Sequence, residues 1–152
     1  MFTSNPLYHI SSIISKINLA LKKSSSSLVI KIYKNDFKYL DILSNYGYLY
    51  YTFIFNNKHF IHKKEDYFYI QIFFNNYSLS TGGKPSFKKI TLISKSVSKC
   101  FVNKLGYSRS NIYSFIQPVK NIIFFISTSK GILPHFICKK YNLGGEVLFS
   151  VE

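Results

Sequence analysis

Two short segments near the end of the chain combine residue types suited to nucleic-acid contact. The first is Ser127-Thr128-Ser129-Lys130-Gly131, and the second is Leu143-Gly144-Gly145-Glu146. Small hydroxyls and backbone N–H groups reach phosphates, 2′-hydroxyls and base edges at little steric cost. Lys130 adds a phosphate contact, and Gly131 lets the backbone approach closely. The plainer alternative is a polar turn that caps the next helix.

Catalytic and metal chemistry fit these residues less well. Ser127-x-x-Lys130 has the spacing of an acyl-serine hydrolase, but neither S-D-N nor K-T-G accompanies it. His59 and His62 have ligand spacing without an obvious third ligand, and read as exposed loop histidines. His9 and His135 read as surface or edge residues on helices. Thr81-Gly82-Gly83-Lys84-Pro85-Ser86 lacks the first glycine of a phosphate loop and has Pro85 where the magnesium-holding hydroxyl should stand. It reads as a linker. With only 6 acidic residues, and Glu65 and Asp66 adjacent in a loop, no paired-carboxylate site is expected. Cys100 and Cys138 lack metal-site spacing, and two reduced, packed thiols are the expectation. The chain is therefore read as a binding protein rather than an enzyme, with no cofactor, no metal and no small-molecule substrate.

The elements that must position the two segments follow from the apolar pattern. Ile122 to Ile126 is a short Ile- and Phe-rich run, which suits a covered strand. Ser127 to Gly131 reads as a hydroxyl-rich loop. Pro134 can open a short helix to Tyr141, because its missing N–H would be unpaired there anyway. The Gly144-Gly145 pair is expected to supply the positive φ that ends the helix and turns the chain. A final strand follows. If the two strands are neighbours, the hydroxyl loop and the Gly-Gly-Glu turn come close in space.

Upstream, Asn5-Pro6 reads as a helix start, with Leu7, Ile10, Ile14, Ile17 and Leu21 at helical spacing. Lys22 to Ser27 is a basic loop, and Leu28 to Tyr33 alternates as a strand. Asn35 or Asp36 can cap a second helix that closes near Gly47. Strands at Tyr48 to Phe55 and Tyr67 to Phe74 follow, joined by a polar loop. Ile90 to Ile93 and Cys100 to Val102 are short strands. The expected fold is α+β with two small domains. The first, 1–77, is a helix-strand-helix-strand-strand unit. A linker follows at 78–89, rich in Asn, Ser, Gly and Pro. The second, 90–152, is mostly β with a short helix, and is the expected RNA-binding domain.

Charge narrows the partner. The 152 residues carry 20 basic and 6 acidic side chains, a net +14, which calls for a polyanion. Every basic residue except Arg109 is a lysine, so the positive charges act mostly as points rather than planar forks. The abundance of Phe, Tyr, Ile, Lys, Asn and Ser suggests a very AT-rich genome: a mitochondrion, a plastid or a reduced bacterium. Ile42 to Asn57 lacks formal charge but is broken by Ser44, Asn45 and Gly47, and falls short of the ~20 apolar residues of a membrane span. The first helix has too few lysines for a cationic membrane-surface helix. The N-terminal stretch is a poor match to an import presequence, which a protein made inside its organelle would not need.

The order S-T-S-K-G, short helix, L-G-G-E and terminal apolar strand resembles ribosomal protein eight of the small subunit, in its bacterial and organellar form. The resemblance continues upstream in Gly47-Tyr48-Leu49 after a helix, and in the basic first helix opening at Asn5-Pro6. It implies that Ser127, Thr128 and Ser129 form the main ribosomal RNA contact, with Lys130 and Gly131 beside them. It implies that Glu146, after Gly145, supports or joins that contact. A carboxylate is unwelcome beside phosphate, so Glu146 either holds the loop or accepts from a base N–H. Lys95 and Lys99 match basic positions of a family hairpin whose usual Pro-Gly is here Ser96-Val97. Phe101 stands where a tyrosine is common, and Lys16 is the counterpart of the first-helix arginines. The stretch Asn103 to Asn121 is longer than in the family. The function implied is a structural constituent of the small subunit that binds the central domain of its RNA, joins assembly early and touches neighbouring ribosomal proteins. The expected location is the mitochondrial matrix, with a plastid or an AT-rich bacterium as alternatives. The competing function is a basic RNA-binding module acting outside the ribosome.

Overall fold

The computed structural model describes residues 6–54, 67–75, 85–95, 98–103 and 122–152, with the side chains of residues 6–9 excepted. Asn5, His59, His62, Thr81 to Lys84, Ser96-Val97 and the stretch from Lys104 to Asn121 lie outside the described residues. The chain divides into two compact units, Met1–Lys88 and Lys89–Glu152.

Unit 1 contains α1 (Pro6–Lys22), β1 (Ser27–Tyr33), a 3-10 turn (Lys34–Asp36), α2 (Phe37–Asn45), β2 (Leu49–Phe53) and β3 (Tyr67–Phe74). The sheet runs β1-β3-β2 and is antiparallel throughout. Directly opposed residues share a face. Pairing Ile30 with Ile70, Leu28 with Ile72 and Leu49 with Phe74 therefore gathers the apolar positions on one face. The buried stripe of α1, formed by Ile10, Ile13, Ile14, Ile17 and Ala20, and Tyr39, Leu40 and Leu43 of α2 complete the core of this unit. Phe37 lies 5.5 Å from Phe53 and 5.6 Å from Phe68, ring centre to ring centre. The Tyr51 hydroxyl ties β2 to α2 by donating to Asp41 Oδ1 at 2.5 Å. Burial, then the Asp41 hydrogen bond and charge, push its pKa up to about 12.

Asp36 occupies the N-cap position of α2 but makes no side-chain cap bond. Its φ of −95° and ψ of −10° are helical, because the 3-10 turn runs straight into the helix. The extended backbone that turns a cap side chain toward the N2 or N3 N–H is absent there. Part of the expected linker is structured: Phe87 is buried against Tyr48 and Phe74, and Ser86 N–H donates to Asn75 O at 2.7 Å.

Unit 2 contains β4 (Ile90–Leu92), β5 (Phe101–Val102), β6 (Ile123–Thr128), β7 (Gly131–Pro134), α3 (His135–Lys140) and β8 (Gly145–Val151). β8 is the hub: β4 and β5 pair with it, as does β6, which in turn carries β7. Val102, Ile126, Val147, Phe124 and Cys138 of α3 form a buried cluster. Phe125 and Phe149 stack at 5.0 Å on the opposite face of the strands. The expected α+β architecture, with a helix-strand-helix-strand-strand unit and a mostly β unit, is what the chain adopts. In place of the expected loop end, Gly131–Pro134 is a strand, so Pro134 precedes α3 as its N-cap rather than opening it.

Among the described residues the three α-helices all end in the same reciprocal hydrogen-bond pattern, the Schellman motif. In α1, Ser25 N–H donates to Ala20 O and Ser24 N–H to Leu21 O; in α2, Tyr48 donates to Leu43 and Gly47 to Ser44; in α3, Leu143 donates to Cys138 and Asn142 to Lys139. The left-handed residues are Ser24 (φ 53°), Gly47 (φ 75°) and Asn142 (φ 50°). Asn142, not the Gly144-Gly145 pair, thus turns the chain after α3. Serine at such a position carries a steric cost that glycine avoids. Ser24→Gly is expected to raise the unfolding free energy by about 0.5–1 kcal/mol, seen as a higher urea midpoint; a lower midpoint would contradict the assignment.

Candidate nucleic-acid interface

β6 and β7 form a hairpin closed by Ser129 and Lys130, with Thr128 paired to Gly131. Thr128 Oγ1 donates to Gly131 O at 2.8 Å and accepts from Lys130 N–H at 3.1 Å, so one hydroxyl locks the turn from both sides. Gly131 takes φ 104°, which brings the chain back into the ladder at no side-chain cost. Ser129 and Lys130 are exposed at the tip. The expected loop is therefore a tight, preset turn.

The second segment meets this hairpin through the β6–β8 ladder. Ser127 pairs with Glu146, and Phe101 of β5 pairs with Glu146 from the other side. Ser127, Glu146 and Phe101 consequently share one sheet face, and Phe101 is 59% exposed. A register shift lies just inside the site, between Phe125 and Ile126, whose partners are Phe149 and Val147. Leu148 is the extra residue, and its carbonyl accepts from Ile93 N–H at 2.9 Å. Such a bulge bends a strand and re-aims the side chains beyond it.

Gly145 is required by proximity rather than by φ. A Cβ there would fall on the Ser127 carbonyl oxygen, 2.8 Å from its carbon and 3.1 Å from Ile126 Cγ2. Glu146 is mostly covered, with 19% of its side chain exposed, and its Oε2 lies 4.0 Å from Lys99 Nζ. Its Oε1 is buried with no hydrogen-bond donor. The carboxylate thus makes no hydrogen bond to the hairpin through Oε1, and among the described residues its one charged neighbour is Lys99. The patch combines hydroxyls, backbone groups, an aromatic ring, two lysines and one carboxylate.

Of the residues singled out in the sequence, Ser127, Thr128, Ser129, Lys130, Gly131, Gly145, Glu146, Lys99 and Phe101 gather here. Lys95 is exposed on the same 94–99 turn, which the backbones of Lys95 and Ser98 close reciprocally. Lys16 is exposed on α1 of the other unit. Ser94, which carries no motif in the sequence, also supports the site. It is fully buried, and its Oγ accepts from Cys100 N–H at 3.0 Å, which anchors the turn bearing the lysines. Nothing in its local pattern separates it from its serine neighbours.

His135 is half-buried rather than a solvated surface residue. Phe124 N–H donates to its Nδ1 at 3.2 Å, which tethers α3 to β6. Burial, and then the Lys139 charge, lower its pKa from 6.5. The unfolded chain therefore binds the proton more readily than the folded one. The stabilisation is complete above about pH 6.5 and is lost as pH falls from there toward the folded pKa. Thermal unfolding is expected at lower temperature at pH 5 than at pH 7, and His135→Asn should flatten that dependence in circular-dichroism melts.

A two-unit α+β fold, a net charge of +14 and this hydroxyl-and-lysine patch have the character of a basic protein that meets a polyanion. Among the described residues no three His, Cys, Asp or Glu side chains are grouped for a metal. The family model for ribosomal protein S8 matches residues 9–151, and the chain belongs to that family. Its members are structural, non-enzymatic proteins of the small ribosomal subunit that bind ribosomal RNA. No curated protein matches the chain. Among the described residues no helix is long and apolar enough to cross a membrane.

Proposed function

We propose that this protein is a structural constituent of the small ribosomal subunit that binds the central domain of its RNA and supports early assembly. The family match across residues 9–151 carries this reading. In it, the hairpin tip Ser127 to Gly131, Gly145-Glu146, Lys99 and Phe101 form the principal contact, and Lys95, Lys16 and Asn5 reach further along the RNA. Hydroxyls and backbone N–H groups read the shape of a helical junction, lysines neutralise phosphates, and Glu146 accepts from a base amino group or a 2′-hydroxyl. Residues 90–152 act as the RNA-binding domain. Neighbouring ribosomal proteins complete the environment. The AT-rich residue usage supports a mitochondrial ribosome as its location.

Sedimentation of a native lysate tests the reading. The protein should travel with the small subunit and persist through a high-salt wash. Recovery only at the top of the gradient would reject it in favour of an RNA-binding role outside the ribosome. With the isolated RNA, binding should weaken steeply with salt. About six phosphate contacts predict roughly a 10³-fold loss between ~50 and ~200 mM, measurable by filter binding.

A further inference from the structure

The sheet of unit 1 has a second face that the core does not use. Alternation sends Val29, Lys31 and Tyr33 of β1, Tyr67, Tyr69 and Phe73 of β3, and Tyr50 of β2 away from the buried isoleucines. Tyr33, Tyr50 and Tyr69 are 41%, 50% and 41% exposed. A solvated sheet face ordinarily carries polar residues; this one carries Ser27, Thr52 and Gln71 as well, but five aromatic rings stand among them.

The rings fall in two groups along the strands. At one end Tyr50 stacks on Phe73 at 4.8 Å with planes 10° apart. At the other, Tyr33, Tyr67 and Tyr69 meet edge to face, with centroids 6.5 Å and 5.8 Å apart. Lys31 Nζ sits 3.4 Å above the Tyr67 ring. Phe73 and Tyr69 are four residues apart on one strand, about 13 Å at the usual rise. That length accommodates two or three stacked bases.

We propose that this face is a stacking platform for single-stranded RNA, separate from the hairpin site of unit 2. The charge and the kind of side chain favour that occupant. None of the strand residues on this face is a carboxylate, and Lys31 places a cation among the rings. A face built for an apolar protein partner would be richer in aliphatic side chains, and here Val29 is the sole one among the described strand positions. Aromatic faces offer every base a π surface whatever its sequence.

The test uses the full-length protein and a fluorescent single-stranded oligouridylate at physiological salt. The wild type should bind, and ultraviolet crosslinks should map to Tyr33, Tyr67 or Tyr69. Tyr33→Leu with Tyr69→Leu keeps apolar bulk but removes the π faces, and should weaken binding by about 100-fold, near tenfold per ring. The corresponding Phe variants should stay close to wild type. Binding of a central-domain RNA hairpin should not change in either pair, which separates this platform from the proposed ribosomal contact. Absence of oligouridylate binding by the wild type, or equal binding by the Leu pair, would overturn the proposal. Loss of assembly into the small subunit by the Leu pair with oligouridylate affinity intact would also overturn it, and would assign the face to a protein neighbour.

Discussion

Gly145→Ala is expected to cost up to about 3 kcal/mol of stability and to remove RNA binding at the same time. The added Cβ meets the Ser127 carbonyl, which is backbone and cannot rotate away. β8 must then draw back from β6 where Ser127 pairs with Glu146 and where Val102 pairs with Gly145. That movement separates the hairpin tip from the carboxylate. The melting temperature should fall by roughly 6–12 °C for a chain of this size. Unchanged melting and RNA affinity would show that the two backbones are farther apart in solution.

Glu146→Gln should have the opposite profile: weaker binding with no loss of stability. Oε1 is buried without a donor and Oε2 is 4.0 Å from a half-exposed lysine, so the fold has little to lose. A hydrogen bond from RNA to a carboxylate is worth about 1.5–3 kcal/mol, so affinity should drop on the order of 10- to 100-fold. Urea unfolding and titration with the central-domain RNA read the two effects separately. A destabilised variant with intact affinity would instead make Glu146 a support for the hairpin. The comparison decides between the two roles that the sequence leaves open.

The periodic elements were legible because each buries one stripe. α1 is marked by isoleucines at helical spacing, and β3 by alternating burial from Ile70 to Phe74. Gly131 to Pro134 was not legible, since four residues with a glycine and a proline carry no usable period. They become a strand because Ile126 and Ser127 offer a ladder to Leu133 and Ile132. The helix stop after Tyr141 was legible in place but not in agent. A glycine pair suggests positive φ, yet Asn142 tolerates it and frees Gly145 for close approach.

The sequence by itself determined the α+β class, the polyanionic partner and the identity of the residues in the two polar segments. Those properties are local or additive: periodicity, net charge and side-chain type. The tertiary structure decided that Ser127, Glu146 and Phe101 share a face, that Thr128 locks the turn, and that Glu146 keeps an orphan acceptor. It also exposed the ring-covered face of the first sheet. Strand order and register set these features, through pairings between residues distant in the chain, and a one-residue slip in either sheet would reverse them.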